Sequence, residues 1–252
     1  MWVALRAEWT KLRTAPGTIW LLLAAAVATG GVSALSSAVS DCVGRPCGLD
    51  PAKVSLTGVT VGQAVVVIVA VLVIGNEYAT GMMRVTLTAL PRRLQVLAAK
   101  AAVVAGVVLA AAVPGVAASL LTGRAILPGH GLPALDLGAE PVLRAGIGSV
   151  LYLTLVALLS LGITTIVRSS PAAIGIVLGL LYVFPIVTMA VSDKDWQRHL
   201  EQLGPMSAGL SVQATLGLHE LPIGPWQGLG VLAGWAAAAL LVGAVLLHHR
   251  DA

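Results

Sequence analysis

Six stretches of about twenty residues, each free of Asp, Glu, Lys, Arg and His, divide this 252-residue chain. They lie at about 18–39, 55–74, 101–122, 145–167, 171–191 and 226–247. A helix needs about 20 mostly apolar residues to cross the hydrocarbon of a bilayer, so each run has the length of one span. Only helices and closed barrels satisfy their backbone in lipid. Barrel strands would alternate apolar and polar residues over about ten positions. These runs are instead continuous and rich in Leu, Ala, Val and Gly, which predicts an all-α polytopic membrane protein. Composition agrees: 10% of the residues are charged, against roughly 25% in soluble domains.

The chain reads as a single transmembrane domain over 1–252. Before the first run, Trp2, Leu5, Trp9 and Leu12 recur at three- and four-residue steps, while Arg6, Thr10 and Arg13 fall on another face. With Lys11 nearby, this predicts an amphipathic interfacial helix over 1–16, with Trp at headgroup depth and cations toward water. No small-residue cleavage site follows in polar context, so the first run is expected to stay as an anchor. Pro114 and Gly115 predict a kink in the third span. Ser170 before Pro171 is a good start for the fifth span. The small-residue pairs Gly58 with Gly62, Gly175 with Gly179 and Gly230 with Gly234 read as bundle packing.

Six spans place both termini on one side. With the termini inside, nine of the fifteen Lys and Arg fall on the inner segments. The positive-inside rule therefore predicts cytoplasmic termini. The same rule accounts for the pI near 9.4 and net charge of +4, so no nucleic-acid partner is expected. This topology puts Cys42 and Cys47 outside, where oxidation could join them in a disulfide across a small loop; two free thiols are the alternative.

The absence of charge within the runs also narrows function. Proton-coupled transporters commonly place ionisable groups at membrane depth, and these runs have none. Sodium coordination by unwound backbone stays open. There is no GxSxG elbow, HExxH or GxxxxGK[ST] motif, and His248 and His249 are adjacent, so they do not converge on one metal. No catalytic, cofactor-binding or metal site is expected in this chain.

What stands out is a polar island at 75–100, GNEYATGMMRVTLTALPRRLQVLAAK, between the second and third runs. It holds Glu77, Arg84, Arg92, Arg93 and Lys100. Met82, Val85, Leu87 and Leu90 are apolar, and Gly81 and Pro91 punctuate it. A short helix bounded by those two fits the pattern. An ordinary positive inner loop explains the arginines but not the Met-Leu content, which favours a docking element.

The run Glu77-Tyr78-Ala79-Thr80-Gly81-Met82, followed by Leu90-Pro91-Arg92-Arg93 and Lys100, resembles the first intracellular loop of permease subunits in the type-2 export family of ATP-binding-cassette transporters. Glu8-Trp9-Thr10-Lys11-Leu12-Arg13-Thr14 is similar to the opening of many actinobacterial members. So is Pro205-Met206-Ser207-Ala208-Gly209-Leu210, ahead of a last span that follows Gly224-Pro225-Trp226. Met82 departs from the family, which often has Thr there.

The resemblance implies a permease subunit, multi-pass in a bacterial plasma membrane, exporting a hydrophobic or amphipathic cargo. A separate cytoplasmic ATPase, holding the ATP and Mg, would dock on the 75–100 loop through Glu77, Gly81, Arg84, Pro91, Arg92 and Arg93. The interfacial helix, with Trp2, Leu5, Trp9, Lys11, Leu12 and Arg13, would brace that loop. The segment 192–225 would form an extracellular hairpin acting as a gate, and a second permease chain would complete a homodimer or heterodimer. The alternative is an ATPase-independent secondary transporter or channel.

Overall fold

The computed structural model describes residues 2–14, 16–40, 42, 48–89 and 93–249. Helix α1 (Trp2–Thr14) is followed by α2 (Pro16–Val39), the short α3 (Pro51–Ser55) and α4 (Gly58–Ala79). Next come α5 (Met82–Ala89), the long α6 (Arg93–Ile126) and α7 (Glu140–Val167). The fifth span is built from α8 (Ser170–Leu178), a π-helical turn at Gly179–Val183 and α9 (Phe184–Met189). Two short helices, α10 (Lys194–Leu203) and α11 (Pro205–Leu210), precede α12 (Pro225–His249). No strand occurs among the described residues.

Among the described residues, six helical stretches are long and apolar enough to cross a membrane, and the chain is an all-α, multi-pass membrane protein. Helix α4 shows why the solvent decides. Val65, Val66, Val67, Ile68 and Val69 are β-branched and would favour a strand in water. In lipid every backbone group must be satisfied within the segment, and the helix wins. Hydroxyls in the spans follow the same rule: Thr29 Oγ1 donates to the Ala25 carbonyl at 2.7 Å and Ser160 Oγ to that of Val156 at 2.7 Å, each one turn back.

Helices α4 and α7 are the most deeply buried, whereas α2, α8–α9 and α12 turn most of their length outward. Helix α7 packs on α4, α6 and α12, and α2 packs on α4 and α6. Close approach of α2 to α4 requires glycine: a Cβ at Gly58 would fall 1.8 Å from the Thr29 carbonyl oxygen. The Gly58 N–H, one of the unpaired donors of a helix start, donates instead to Ser33 Oγ at 3.0 Å. Gly62 sits against the same threonine. The other two small-residue pairs differ from expectation. Gly175, Gly179, Gly230 and Gly234 have no atom within 4 Å of where a Cβ would stand, so they are not packing positions within the bundle. Helix α6 runs unbroken through Pro114.

A polar knot crosses the middle of the bundle. The Tyr152 hydroxyl of α7 donates to Gln63 Oε1 of α4, and Gln63 Nε2 reaches Met206 Sδ of α11 at 3.4 Å. Tyr182, in the π-helical turn, donates to the Thr60 carbonyl.

Asp50 fastens the end remote from the termini. Its Oδ1 caps α3 through the N–H groups of Ala52 and Lys53, and its carboxylate also accepts from the Thr215 hydroxyl at 2.6 Å and the Leu216 N–H at 2.9 Å. Burial opposes ionisation, but the bonds from Thr215, Leu216 and Lys53 outweigh it and hold the carboxyl below its ordinary range. The clasp therefore contributes fully above that range and is lost as pH falls through the lowered value. Cys42 is buried, in a disulfide, and donates its N–H to the His130 carbonyl at 2.9 Å. Cys47 lies outside the described residues.

Replacing Gly58 with Ala should overpack the α2–α4 contact by about 1–3 kcal/mol and lower the melting temperature of the detergent-purified protein. Gly175→Ala, a substitution into open space, should leave it unchanged.

Candidate coupling site at the end of the bundle near the termini

The chain turns at the end of α4 because Gly81 adopts a left-handed φ of 69°, the usual way to end a helix. Helix α5 begins at the next residue. The helices overrun the charge-free stretches: α4 continues through Glu77 and α6 already carries Arg93 and Lys100. Glu77 and Lys100, expected on a wet loop, are therefore buried helical residues, 4% and 1% exposed.

They are buried together. Lys100 Nζ lies 2.9 Å from Glu77 Oε1 and 2.5 Å from Glu8 Oε2. Lys11 Nζ lies 2.9 Å from Glu77 Oε1 and 3.0 Å from Glu8 Oε1. The result is a closed ring of alternating charge, two ammoniums and two carboxylates, contributed by α1, α4 and α6. Lys11 Nζ also reaches Thr86 Oγ1 of α5 at 3.4 Å, so α1, α4, α5 and α6 meet here. The second carboxylate oxygen of Glu77 is buried without a hydrogen bond among the described residues.

Burial alone would make a buried charge costly; the alternation makes it tolerable, since each ion has two opposite neighbours. At the ring's edge, burial of the Lys11 ammonium acts against its charge, but hydrogen bonds to Glu77 and Glu8 prevail and hold it above its ordinary value. Its contribution is thus complete below the ordinary lysine range and is lost only as pH rises through the raised value.

Two further contacts frame the ring. Arg93 Nη1 donates to the Leu247 carbonyl at 2.8 Å and to that of His248 at 3.3 Å, satisfying the end of α12 as a cation at a helix C-terminus does. The guanidinium of Arg168, itself at a left-handed φ of 58°, stands 5.7 Å from the ring centre of Tyr78, and Ser170 fills the space beside Gly75. The connection between the fourth and fifth spans thus rests on the end of α4.

The expected site residues are dispersed around this core. Glu77 and Lys11 are in the ring, Gly81 makes the turn and Arg93 caps α12. Arg84 is on α5 and Leu12 and Arg13 are on α1, but their side chains lie outside the described residues, as do Pro91 and Arg92 altogether. Trp2 and Trp9 are exposed, and Leu5 is half-buried. Lys11 points into the ring, away from the solvated face to which cations of α1 were assigned. Glu8 and Lys100 were not singled out as site residues, yet both left a trace. Glu8 stands three residues after Leu5 and four before Leu12, so an acid interrupts the apolar stripe of α1. Lys100 is a lone charge in the apolar sequence VLAAKAAVV.

A family model described as ABC-2 family transporter protein matches residues 4–186. The chain belongs to the ABC-2 family of transporters. The match takes in α1 to α6 and so contains all four ring residues, and it ends within α9. A comparison with curated proteins gives no match. As an ABC-2 membrane protein it is a permease-type component of a transporter.

Lys100→Met would leave two carboxylates buried beside a single ammonium, a loss of about 3–5 kcal/mol by analogy with other broken buried pairs. Its melting temperature in detergent should fall far more than that of Lys11→Met, because the Lys11 side chain is 33% accessible and the Lys100 side chain 1%. Equal melting of the two would argue against a buried ring.

Proposed function

We propose that this chain is the membrane-spanning half of an ATP-driven exporter, energised by a separate cytoplasmic ATPase that docks around α5. The carrying observation is the ring, which ties Glu77 and Lys100 of the segment that the family resemblance assigns to coupling to Glu8 and Lys11 of α1. The positive-inside rule supports placing this end of the bundle, and both termini, in the cytoplasm.

Force on α5 has a physical route. Helix α5 follows α4 after one glycine turn, and Thr86 touches Lys11. Separating α1, α4 and α6 at the ring would strand buried charge, so their inner ends move as one body. The ATPase would bind ATP and Mg, and its closure would push α5. The joined ends would then tilt the spans against a second permease chain, opening a path for a hydrophobic or amphipathic cargo. The α10–α11 hairpin would serve as the gate at the outer end. A bacterial plasma membrane is the location that this reading implies.

Met82 is apolar, 44% exposed and on α5, outside the ring. Met82→Asp should therefore sharply reduce the amount of co-expressed ATPase that co-purifies with this chain, with little change in melting temperature. Glu77→Gln should keep binding but lower transport-stimulated ATP hydrolysis in proteoliposomes. If the wild-type chain captures no ATPase in detergent, the exporter reading fails and a secondary transporter or channel takes its place.

A further inference from the structure

An apolar groove of about 550 Å³ opens between α6 and α7 on the outside of the bundle. Val113, Ala117 and Leu121 form one rim, and Leu143, Ile147 and Leu151 the other; all six are exposed. The floor is kept low by a missing side chain, since a Cβ at Gly146 would come within 3.0 Å of Leu120 Cδ1. From Leu109 to Leu121 the groove follows α6 for about 18 Å at 1.5 Å per residue. That is close to the depth of one leaflet, about half of a 30 Å hydrocarbon core.

The groove itself is lined only by apolar residues, and just past one end of it each helix carries a charged residue. The exposed stripe of α6 continues from Leu121 to Arg124, and that of α7 starts at Glu140, three residues before Leu143. Arg124 is exposed and enters no ion pair found among the described residues. The Glu140 side chain is 77% accessible, and its only ion-pair neighbour among them is Arg144 at 3.8 Å. Arg144 is itself engaged with the Ala214 carbonyl at 2.7 Å. An apolar slot one leaflet long is thus followed, along α6 and α7, by a cation without an ion pair among the described residues and a largely free anion.

We propose that this groove is a specific site for an amine-headed, zwitterionic phospholipid, with one acyl chain in the slot. Arg124 binds the phosphate through its fork of N–H donors, and Glu140 accepts from the ammonium. The charged end lies at the opposite end of α6 from Lys100, so the lipid comes from the leaflet remote from the ion ring. The site is independent of the coupling mechanism and would stand if the ATPase reading failed.

The test uses the full-length protein in proteoliposomes of phosphatidylethanolamine and phosphatidylglycerol, doped with phosphatidylethanolamine carrying a photoactivatable acyl chain. After irradiation, labelled peptides are mapped by mass spectrometry. Labelling should concentrate on 109–121 and 142–151, several-fold above the equally exposed stretch 183–189. The paired substitutions Val113→Trp and Ile147→Trp, both at exposed rim positions, should abolish that excess and leave labelling elsewhere unchanged. Arg124→Gln should lower it for phosphatidylethanolamine to the level of a photoactivatable diacylglycerol. Uniform labelling of all exposed helices, an excess that survives the tryptophans, an equal excess with photoactivatable phosphatidylglycerol, or protein–protein cross-links between two copies through Ile147 would each overturn the proposal.

Discussion

The end of the bundle near the termini hangs on Lys100. Its side chain is 1% accessible, so other groups must replace its water, and the carboxylates of Glu77 and Glu8 come from two different helices to do so. Helix α1 is therefore more than an amphipathic segment lying on a membrane. It delivers Glu8 and Lys11 to a place that α4 and α6 cannot complete by themselves. The fold at this end is set by charge accounting in a poor solvent, where an unmatched ion costs far more than in water.

Polar knots recur at three levels, and α4 takes part in two of them. At the end near the termini the ring joins α4 to α1 and α6. In the middle, Gln63 joins α4 to Tyr152 of α7 and Met206 of α11. At the opposite end, Asp50 caps α3, directly ahead of α4, and clasps Thr215 and Leu216. Apolar contact between helices gains little in lipid, whose tails are as apolar as the side chains. Hydrogen bonds and close backbone approach, as at Gly58, carry more of the specificity. The deeply buried helix that begins with Gly58 and carries Glu77 in its last turn is the spine to which the others are fixed.

The number and order of the spans could be read from the sequence because twenty apolar residues are a signal that lipid itself imposes. The ends of the helices were harder to read. Expecting charge to mark a span boundary placed Glu77 and Lys100 in a loop, whereas their mutual neutralisation lets α4 and α6 carry them into the protein. The hydropathy of Glu77 alone cannot show that its partner Lys11 lies 66 residues away in α1. The glycine pairs failed for a related reason. Gly58 with Gly62 and Gly230 with Gly234 have the same spacing, and only the tertiary arrangement distinguishes the pair pressed against Thr29 from the pair facing outward. Glu8 was the most informative residue passed over, since an acid within an apolar stripe is costly unless something opposite neutralises it.

The closed ring has an electrical consequence. Its two ammoniums and two carboxylates sum to zero, so a displacement that carries the joined ends of α1, α4 and α6 along the membrane normal moves no net ring charge through the transmembrane field. One uncompensated charge would couple such a motion to voltage by about 2.3 kcal/mol per 100 mV. With its charges matched, the ring itself adds no voltage dependence to such a displacement, which is left to the other charges that these helix ends carry.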